Sequence, residues 1–126
     1  CDAFNEVMDA FKLAKVTEEE KNNRTQAIQM GLKKAASVPF EIATTAYGIM
    51  ELAEIGVSKG NSNAVTDGLI SAMTARTAVL AALLNVKINL DSIKDEVFVE
   101  NMRLKVADLE KNTIDNEKRI LDMVSF

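Results

Sequence analysis

The sequence predicts an all-α protein, built as an antiparallel bundle of long helices. Apolar residues recur with the 3.6-residue period of an α-helix through most of the chain, and no stretch shows the alternation of a β-strand. Aromatic residues make up 5% of the 126 residues, and there is one proline. With 48% apolar residues in a chain of this length, we expect a single domain with a hydrophobic core.

The first helix is expected over residues 1–14, where an apolar stripe is in register from the second or third residue. No N-cap residue precedes this stripe. We therefore expect that a helical part of the domain, upstream of Cys1, is not represented in the chain. The residues of the stripe are Ala3, Phe4, Val7, Met8, Phe11 and Ala14.

A second helix is expected from Glu18 to Lys59. Thr17 and Glu20 form a capping-box signature, in which each side chain accepts a hydrogen bond from the backbone amide of the other. Pro39 lies inside this helix and removes the amide that would donate to the carbonyl of Ala35, so we predict a kink or break there. The predicted inward residues are Ile28, Leu32, Ala35, Ala36, Ile42, Ala43, Ala46, Ile49, Met50 and Ala53.

The third and fourth helices follow a loop at residues 60–63. Gly60 and Asn61 tolerate left-handed backbone angles, which suits a connection between two helices. The helix from Ala64 carries few charges and many small residues, so we expect the other helices to enclose it. Its predicted core residues are Leu69, Ile70, Met73, Leu80, Leu83 and Leu84. An amphipathic helix from about Lys94 to Met123 completes the bundle.

Composition and charge argue against several classes of function. The net charge is −4 and basic residues are not clustered, so a nucleic-acid partner is not expected. The longest wholly apolar run, residues 78–84, is much shorter than a membrane span, so we expect a soluble protein. The chain lacks histidine, which argues against a catalytic triad and a zinc site, and we expect no metal. Cys1, the single cysteine, has no basic neighbour to activate it and suggests a cytoplasmic location.

Polar residues in the apolar third helix are the main candidates for a functional site. Asp67 and Asn85 are eighteen residues apart, so they lie on one face, with Ser71 and Thr74 between them. This pattern predicts a polar groove that accepts a flat ligand between helices. Asp67 and Asn85 are roughly 27 Å apart along the helix, too far for both to touch one reacting centre in one subunit. They could serve different ends of a long ligand, different subunits or different purposes. The alternative is that Asp67 caps a helix start and that Asn85 and Asn89 satisfy buried backbone groups.

Four residues nearer the N-terminus are further candidates, each with a simpler interpretation. Asp2 and Asn5 lie beside the first apolar stripe, where exposed polarity in a first turn is the alternative. Lys15 and Arg24 could bind an anion, or could be solvated charges. The methionines are interpreted as core-filling residues. They are Met8, Met30, Met50, Met73, Met102 and Met123.

Segments spaced along nearly the whole chain resemble the cyclodeaminase/cyclohydrolase family of folate enzymes. They are DAFNEVMDA at 2–10, TEEEK at 17–21, ASVP at 36–39, Gly60-Asn61 with Asn63, Thr66-Asp67, and NVKINL at 85–90. The resemblance implies a helical, dimer-forming domain that binds a reduced folate in a cleft. Members of this family also carry an upstream helical part with a Gly-Gly-Gly-Ser segment, which this sequence lacks.

The resemblance also implies roles for the candidate residues. Asp67 or Asp2 would handle a proton or stabilise a cation during cyclisation of 5-formimidoyltetrahydrofolate, or during hydrolysis of 5,10-methenyltetrahydrofolate. Lys15 and Arg24 would meet the glutamate carboxylates of the folate. The residues that would orient the pterin or its amides are Asn5, Asn61, Asn63, Asn85 and Asn89. The rival interpretation is a non-catalytic interaction module, with the third helix as its dimer seam.

Overall fold

The computed structural model describes residues 2–126 and contains four α-helices and no β-strand within that range. The interpretation of Cys1 lies outside the described residues. The helices are α1 (Asp2–Phe11), α2 (Glu18–Lys59), α3 (Ser62–Leu90) and α4 (Glu96–Asp122). The prediction of an all-α bundle of long helices is thereby confirmed.

Local capping explains where α2 begins. The Thr17 hydroxyl accepts a hydrogen bond from the Glu20 amide at 3.1 Å, and the Glu20 carboxylate accepts one from the Thr17 amide at 3.3 Å. From this predicted capping box, α2 runs for 42 residues through Pro39 without a break. At 1.5 Å per residue it is roughly 63 Å long, which makes it the longest of the four described helices.

The turn between α2 and α3 consists of Gly60 and Asn61, which cap the two helices. The prediction of left-handed angles here was wrong, since φ is −70° at Gly60 and −73° at Asn61. Glycine is required for a steric reason instead. A Cβ atom at Gly60 would lie 2.2 Å from the carbonyl oxygen of Gly56.

The long antiparallel seam between α2 and α3 forms the centre of the molecule. α1 packs on the N-terminal half of α2, where Val7 contacts Gly31, and α4 packs across α3 and α2. Two hydrophobic clusters lie along the seam. One joins Val79 and Leu83 to α4, and the other surrounds Met50 and Ile120.

Several large apolar residues that were predicted to face inward are exposed instead. Small residues, above all the alanines of α2 and α3, fill the seam because the two helices approach closely. The third helix is therefore not enclosed, and one apolar face of it is open. Four methionines are also exposed, so the core-filling interpretation was wrong for them, whereas Met50 and Met102 are buried as predicted. The exposed residues concerned are Phe4, Met8, Phe11, Met30, Ile42, Ile49, Ile70, Met73, Leu84 and Met123.

Candidate functional site

The predicted polar row on α3 is present, and its residues lie on the surface. Asp67, Ser71, Thr74 and Asn85 are all exposed. The Ser71 hydroxyl donates to the Asp67 carbonyl at 2.8 Å, and the Thr74 hydroxyl donates to the Ile70 carbonyl at 2.8 Å. These hydroxyls are thus bonded to their own helix. The Asp67 carboxylate and the Asn85 amide are the groups of the row that remain free to meet a ligand.

The start of α3 places three predicted site residues within two turns. Asn61 is the N-cap, and its side-chain oxygen accepts hydrogen bonds from the amides of Asn63 and Ala64 at 3.0 and 3.1 Å. The interpretation of Asp67 as a helix cap was therefore wrong. Asn63 and Asp67 are exposed beyond the cap. This end of α3 presents one carboxylate and one amide to solvent next to the α2–α3 turn.

At the other end of α3, Asn89 is half-buried and faces α2. Its amide nitrogen lies 3.3 Å from the carbonyl oxygen of Ala35 and 2.7 Å from that of Asn85. The simpler interpretation, in which Asn89 satisfies backbone groups, is thereby confirmed. A role in ligand binding stays a prediction, and it is restricted to the side-chain oxygen of Asn89.

The N-terminal candidates form a separate group around α1. Asp2 and Asn5 are exposed on α1, and Lys15 is exposed in the connection to α2. The Arg24 guanidinium donates to the carbonyl of Phe11 at 3.3 Å and lies 5.3 Å from the centre of its ring. Arg24 thus holds the C-terminal end of α1, a role that spacing in the sequence did not indicate.

The structure does not gather all of these residues at one point. In the described part of the chain, α1 packs against α2 and makes no contact with α3. The candidates therefore occupy three places, which are the α1 surface, the start of α3 and the C-terminal end of α3.

A groove of about 1100 Å³ lies between the C-terminal half of α3 and the middle of α4. Asn85 is the predicted site residue that borders it. Its floor is largely apolar and its rim is charged. Ion pairs join the two helices, between Lys87 and Glu110 and, at 3.7 Å, between Arg103 and Asp91. The lining residues are Leu84, Asn85, Lys87, Ile88, Leu90, Asp91, Arg103, Val106, Ala107, Glu110, Lys111, Ile114 and Asp115.

Two α4 cations of this groove, Arg103 and Lys111, were not among the sequence candidates, and neither was Lys87 on α3. Lys111 hydrogen-bonds Asp115 at 2.7 Å, and this bond and the negative charge of Asp115 raise the pKa of Lys111 above its ordinary value of 10.5. Lys111 is therefore protonated throughout the physiological range. The amphipathic pattern of α4 placed both cations on a charged face, but it gave no sign that α3 would form a groove beside them.

Two other properties bear on the kind of site. Among residues 2–126, no group of three His, Cys, Asp or Glu side chains is placed to hold a metal ion. α3 is long and apolar enough to cross a membrane, although 39% of the relevant window is buried inside the bundle. Since core helices of soluble proteins share this length and composition, the expectation of a soluble protein stays a prediction.

Comparison with known proteins places these features in a family. Residues 1–108 match the sequence model of the formiminotransferase-cyclodeaminase family. The chain belongs to this family. Within it, the chain is 38% identical over 104 residues to a methenyltetrahydrofolate cyclohydrolase of Methylorubrum extorquens, matching 82% of this chain and 50% of that protein. It is 36% identical over 107 residues to the formimidoyltransferase-cyclodeaminase of Rattus norvegicus, matching 85% of this chain and 20% of that protein.

A solved structure of the family has the same fold. The formiminotetrahydrofolate cyclodeaminase of Thermotoga maritima superposes with a TM-score of 0.80 and 30% sequence identity. The match covers 97% of this chain and 57% of that one. The chain therefore spans about half the length of the Methylorubrum and Thermotoga proteins and about a fifth of the rat protein. The family resemblance seen in the sequence is confirmed, and the fold of the cyclodeaminase extends over nearly all of α1 to α4.

Proposed function

We propose that this chain is part of an enzyme of folate one-carbon metabolism. The observation that carries the proposal is the family match over residues 1–108, joined to 38% identity with a methenyltetrahydrofolate cyclohydrolase. Two reactions follow from the names of its relatives. One is cyclisation of 5-formimidoyltetrahydrofolate to 5,10-methenyltetrahydrofolate with release of ammonia. The other is hydrolysis of 5,10-methenyltetrahydrofolate to 10-formyltetrahydrofolate.

Both reactions suit a site built from carboxylates and amides. In the cyclisation, N10 of the substrate attacks the carbon of the protonated formimidoyl group. The bond from that carbon to its terminal nitrogen then breaks, and this nitrogen leaves as ammonia with the proton that N10 loses. The substrate supplies its own nucleophile, so the protein has to hold N10 near that carbon and carry one proton. In the hydrolysis, water attacks the same carbon and the bond to N5 breaks. A single carboxylate can take up and return the proton in either case.

Asp67 is our first choice for this carboxylate, with Asp2 as the alternative. The exposed Asp67 carboxylate lies beside Asn63 near the α2–α3 turn. Asn5 and Asn85 would orient the ligand, and Lys15 and Arg24 would meet its carboxylates. We also propose a cytoplasmic location and no metal requirement.

Ligand binding tests the proposal without assuming which reaction occurs. Melting temperature is followed while the protein is titrated with 5-formyltetrahydrofolate, a stable analogue. A saturable rise is expected, because a ligand at 100 times its Kd stabilises the folded state by about 2.7 kcal/mol. The absence of any shift at millimolar concentration would contradict a folate site in this chain.

The Asp67→Asn variant tests the proton-transfer role. Turnover is expected to fall by roughly 10²- to 10⁴-fold, the usual contribution of a proton-transfer group. Asp108→Asn, which removes an exposed carboxylate of α4 away from the row, should leave turnover unchanged. If the turnover of Asp67→Asn stays within about threefold of that of the parent, Asp67 is not the carboxylate that transfers the proton. Two assays identify the reaction. Release of ammonia from 5-formimidoyltetrahydrofolate indicates the cyclisation. Loss of 5,10-methenyltetrahydrofolate, when the formimidoyl substrate is absent, indicates the hydrolysis.

A second candidate function, self-association, is favoured by the open apolar face of α3. Ile70, Leu84 and Ile88 are 59%, 64% and 70% exposed. With Met73, Thr77 and Leu80 they recur at intervals of three and four residues, the spacing of a coiled-coil seam. A homodimer through this row would also serve an enzyme, so the two candidates are compatible.

Sedimentation velocity tests this interface. A dimer at micromolar concentration is expected to become monomeric in Leu84→Glu, because a carboxylate at a packed seam is left without a partner. Leu104→Glu is the matched control, since Leu104 is 61% exposed on α4 and lies outside the row. A parent that is monomeric at all accessible concentrations would refute the homodimer.

A further inference from the structure

The carbonyl of Ala35 on α2 has lost its normal hydrogen-bond donor. In an α-helix this carbonyl would accept from the amide of the residue four positions later, which is Pro39. Proline has no N–H, and its ring pushes the carbonyl away from the helix axis. Because Ala35 is half-buried against α3, the carbonyl needs a donor from a neighbouring element or an opening that admits water.

The side chain of Asn89 on α3 supplies that donor. Its amide nitrogen lies 3.3 Å from the Ala35 oxygen and 2.7 Å from the Asn85 oxygen. Both partners are carbonyl oxygens, so the NH₂ group of Asn89, rather than its oxygen, must face them. Both N–H groups of the amide are thereby used, one toward α2 and one toward the turn of α3 that carries Asn85.

We propose that Asn89 is a positioning residue, which keeps the α2–α3 seam closed over the carbonyl that Pro39 frees. Without its amide, the Ala35 carbonyl would have to reach water, and the seam would open next to Asn85. This positioning role is inferred only from the contacts of the Asn89 side chain with two backbone carbonyls. Its effect on ligand binding rests on the proposed folate function. Pro39 and Asn89, fifty residues apart in the chain, form one functional unit.

If Pro39 and Asn89 act together, the Asn89 amide is needed to keep the α2–α3 seam closed only while residue 39 is proline. In Pro39→Ala, the restored backbone amide of residue 39 donates to the Ala35 carbonyl. Alanine is also much better than proline in a helix interior, so this variant and its combination with Asn89→Leu should both fold. The four proteins form a double-mutant cycle, in which coupling is measured directly.

Urea unfolding gives the folding equilibrium constant of each protein. In the parent background, Asn89→Leu should lower this constant by about tenfold, as expected when a buried carbonyl is left unsatisfied. In the Pro39→Ala background, the same change should lower it by less than about threefold. Equal losses in both backgrounds would overturn the proposal. Asn112→Leu, an exposed asparagine of α4, is the control and should show no coupling to Pro39.

Binding of 5-formyltetrahydrofolate to the same proteins separates positioning from direct contact. We expect Asn89→Leu to raise the Kd several-fold and Pro39→Ala to restore it, because the seam closes again. A loss of affinity that persists in the Pro39→Ala background would show that Asn89 itself contacts the ligand, and would overturn its assignment as a positioning residue. If none of the proteins binds the analogue, the folate function fails, while the unfolding cycle still decides whether Asn89 and Pro39 are coupled.

Discussion

Replacing single glycines of the helices by alanine tests how closely the helices approach one another. Gly68 on α3 faces α2, where a Cβ atom would lie 2.7 Å from the Val57 Cγ2 atom. It would also lie 3.2 Å from the backbone nitrogen of Val57 and 3.3 Å from the carbonyl oxygen of Ala53. Gly48 on α2 is the matched control, because a Cβ atom there would have no neighbour within 4 Å.

Two opposing effects determine the magnitude. Alanine is more favourable than glycine in a helix interior by about 1 kcal/mol, so Gly48→Ala should stabilise the fold by about that amount. At Gly68 the added methyl group is overpacked against backbone atoms that cannot rotate away, which typically costs 1–3 kcal/mol. The sum predicts that Gly68→Ala destabilises the fold by about 1 kcal/mol. At Gly31 the nearest atom is a methyl group of Val7, 2.9 Å away, so the two effects should nearly cancel.

Urea unfolding followed by circular dichroism measures all three variants against the parent. The expected order of stability is Gly48→Ala, then the parent together with Gly31→Ala, then Gly68→Ala. If Gly68→Ala were as stabilising as Gly48→Ala, α2 and α3 would not approach as closely as described. The close approach that excludes the large apolar residues from the seam would then need another explanation.

Two further predictions concern the core and the response to acid. Leu83→Ala should destabilise the fold by about 3 kcal/mol, because Leu83 is fully buried, whereas Leu104→Ala, at an exposed position of α4 outside the dimer row, should change stability by less than about 0.5 kcal/mol. Equal losses in urea unfolding would contradict the burial of Leu83. Hydrogen bonds from Lys33 and from the Phe98 amide lower the pKa of the Asp95 carboxyl below its ordinary 3.8. Asp95 therefore stabilises the fold above that pH and loses this effect as the pH falls through its lowered pKa. Asp95→Asn should be less stable than the parent at pH 7, and the gap should close below about pH 3.8; a gap unchanged down to pH 2.5 would refute this linkage.

The order of the helices and both ends of α2 could be predicted because they depend on local interactions. The capping box at Thr17 and Glu20 acts over four residues, and the structure contains both of its hydrogen bonds. The short turn after Lys59 likewise required α2 and α3 to be antiparallel neighbours. Local sequence was therefore sufficient for the fold class.

The choice of buried face could not be predicted, because α2 and α3 each carry apolar residues on more than one side. Periodicity locates a stripe but does not say which of two adjacent stripes meets a neighbour. The close approach at Gly68 favours small residues, so Ala72 and Ala75 are buried while Ile70 and Met73 are exposed. Size complementarity between the two helices, rather than hydrophobicity along one of them, determines which face is buried.

The candidate site could be predicted only in part, because some of its contacts depend on how the helices pack against one another. The sequence identified the Ala35 carbonyl as an acceptor without a donor, and it identified Asn89 as a polar residue that could satisfy a backbone group. It could not predict that the two meet, because their separation depends on how far α3 is shifted along α2. The groove beside Asn85 was missed altogether, since it is formed only when α4 crosses α3.

The short helix α1 has a consequence for the dynamics of the molecule. It has ten residues, of which Ala3, Val7 and Ala10 are buried, and in the described part of the chain it packs on α2 alone. A helix of this length is marginal in isolation, so it should detach at a lower free-energy cost than global unfolding, with early amide hydrogen exchange. Asp2 and Asn5 leave the surface of the bundle whenever α1 detaches. A ligand that needs them binds only the docked state, and its apparent affinity falls in proportion to the docked fraction.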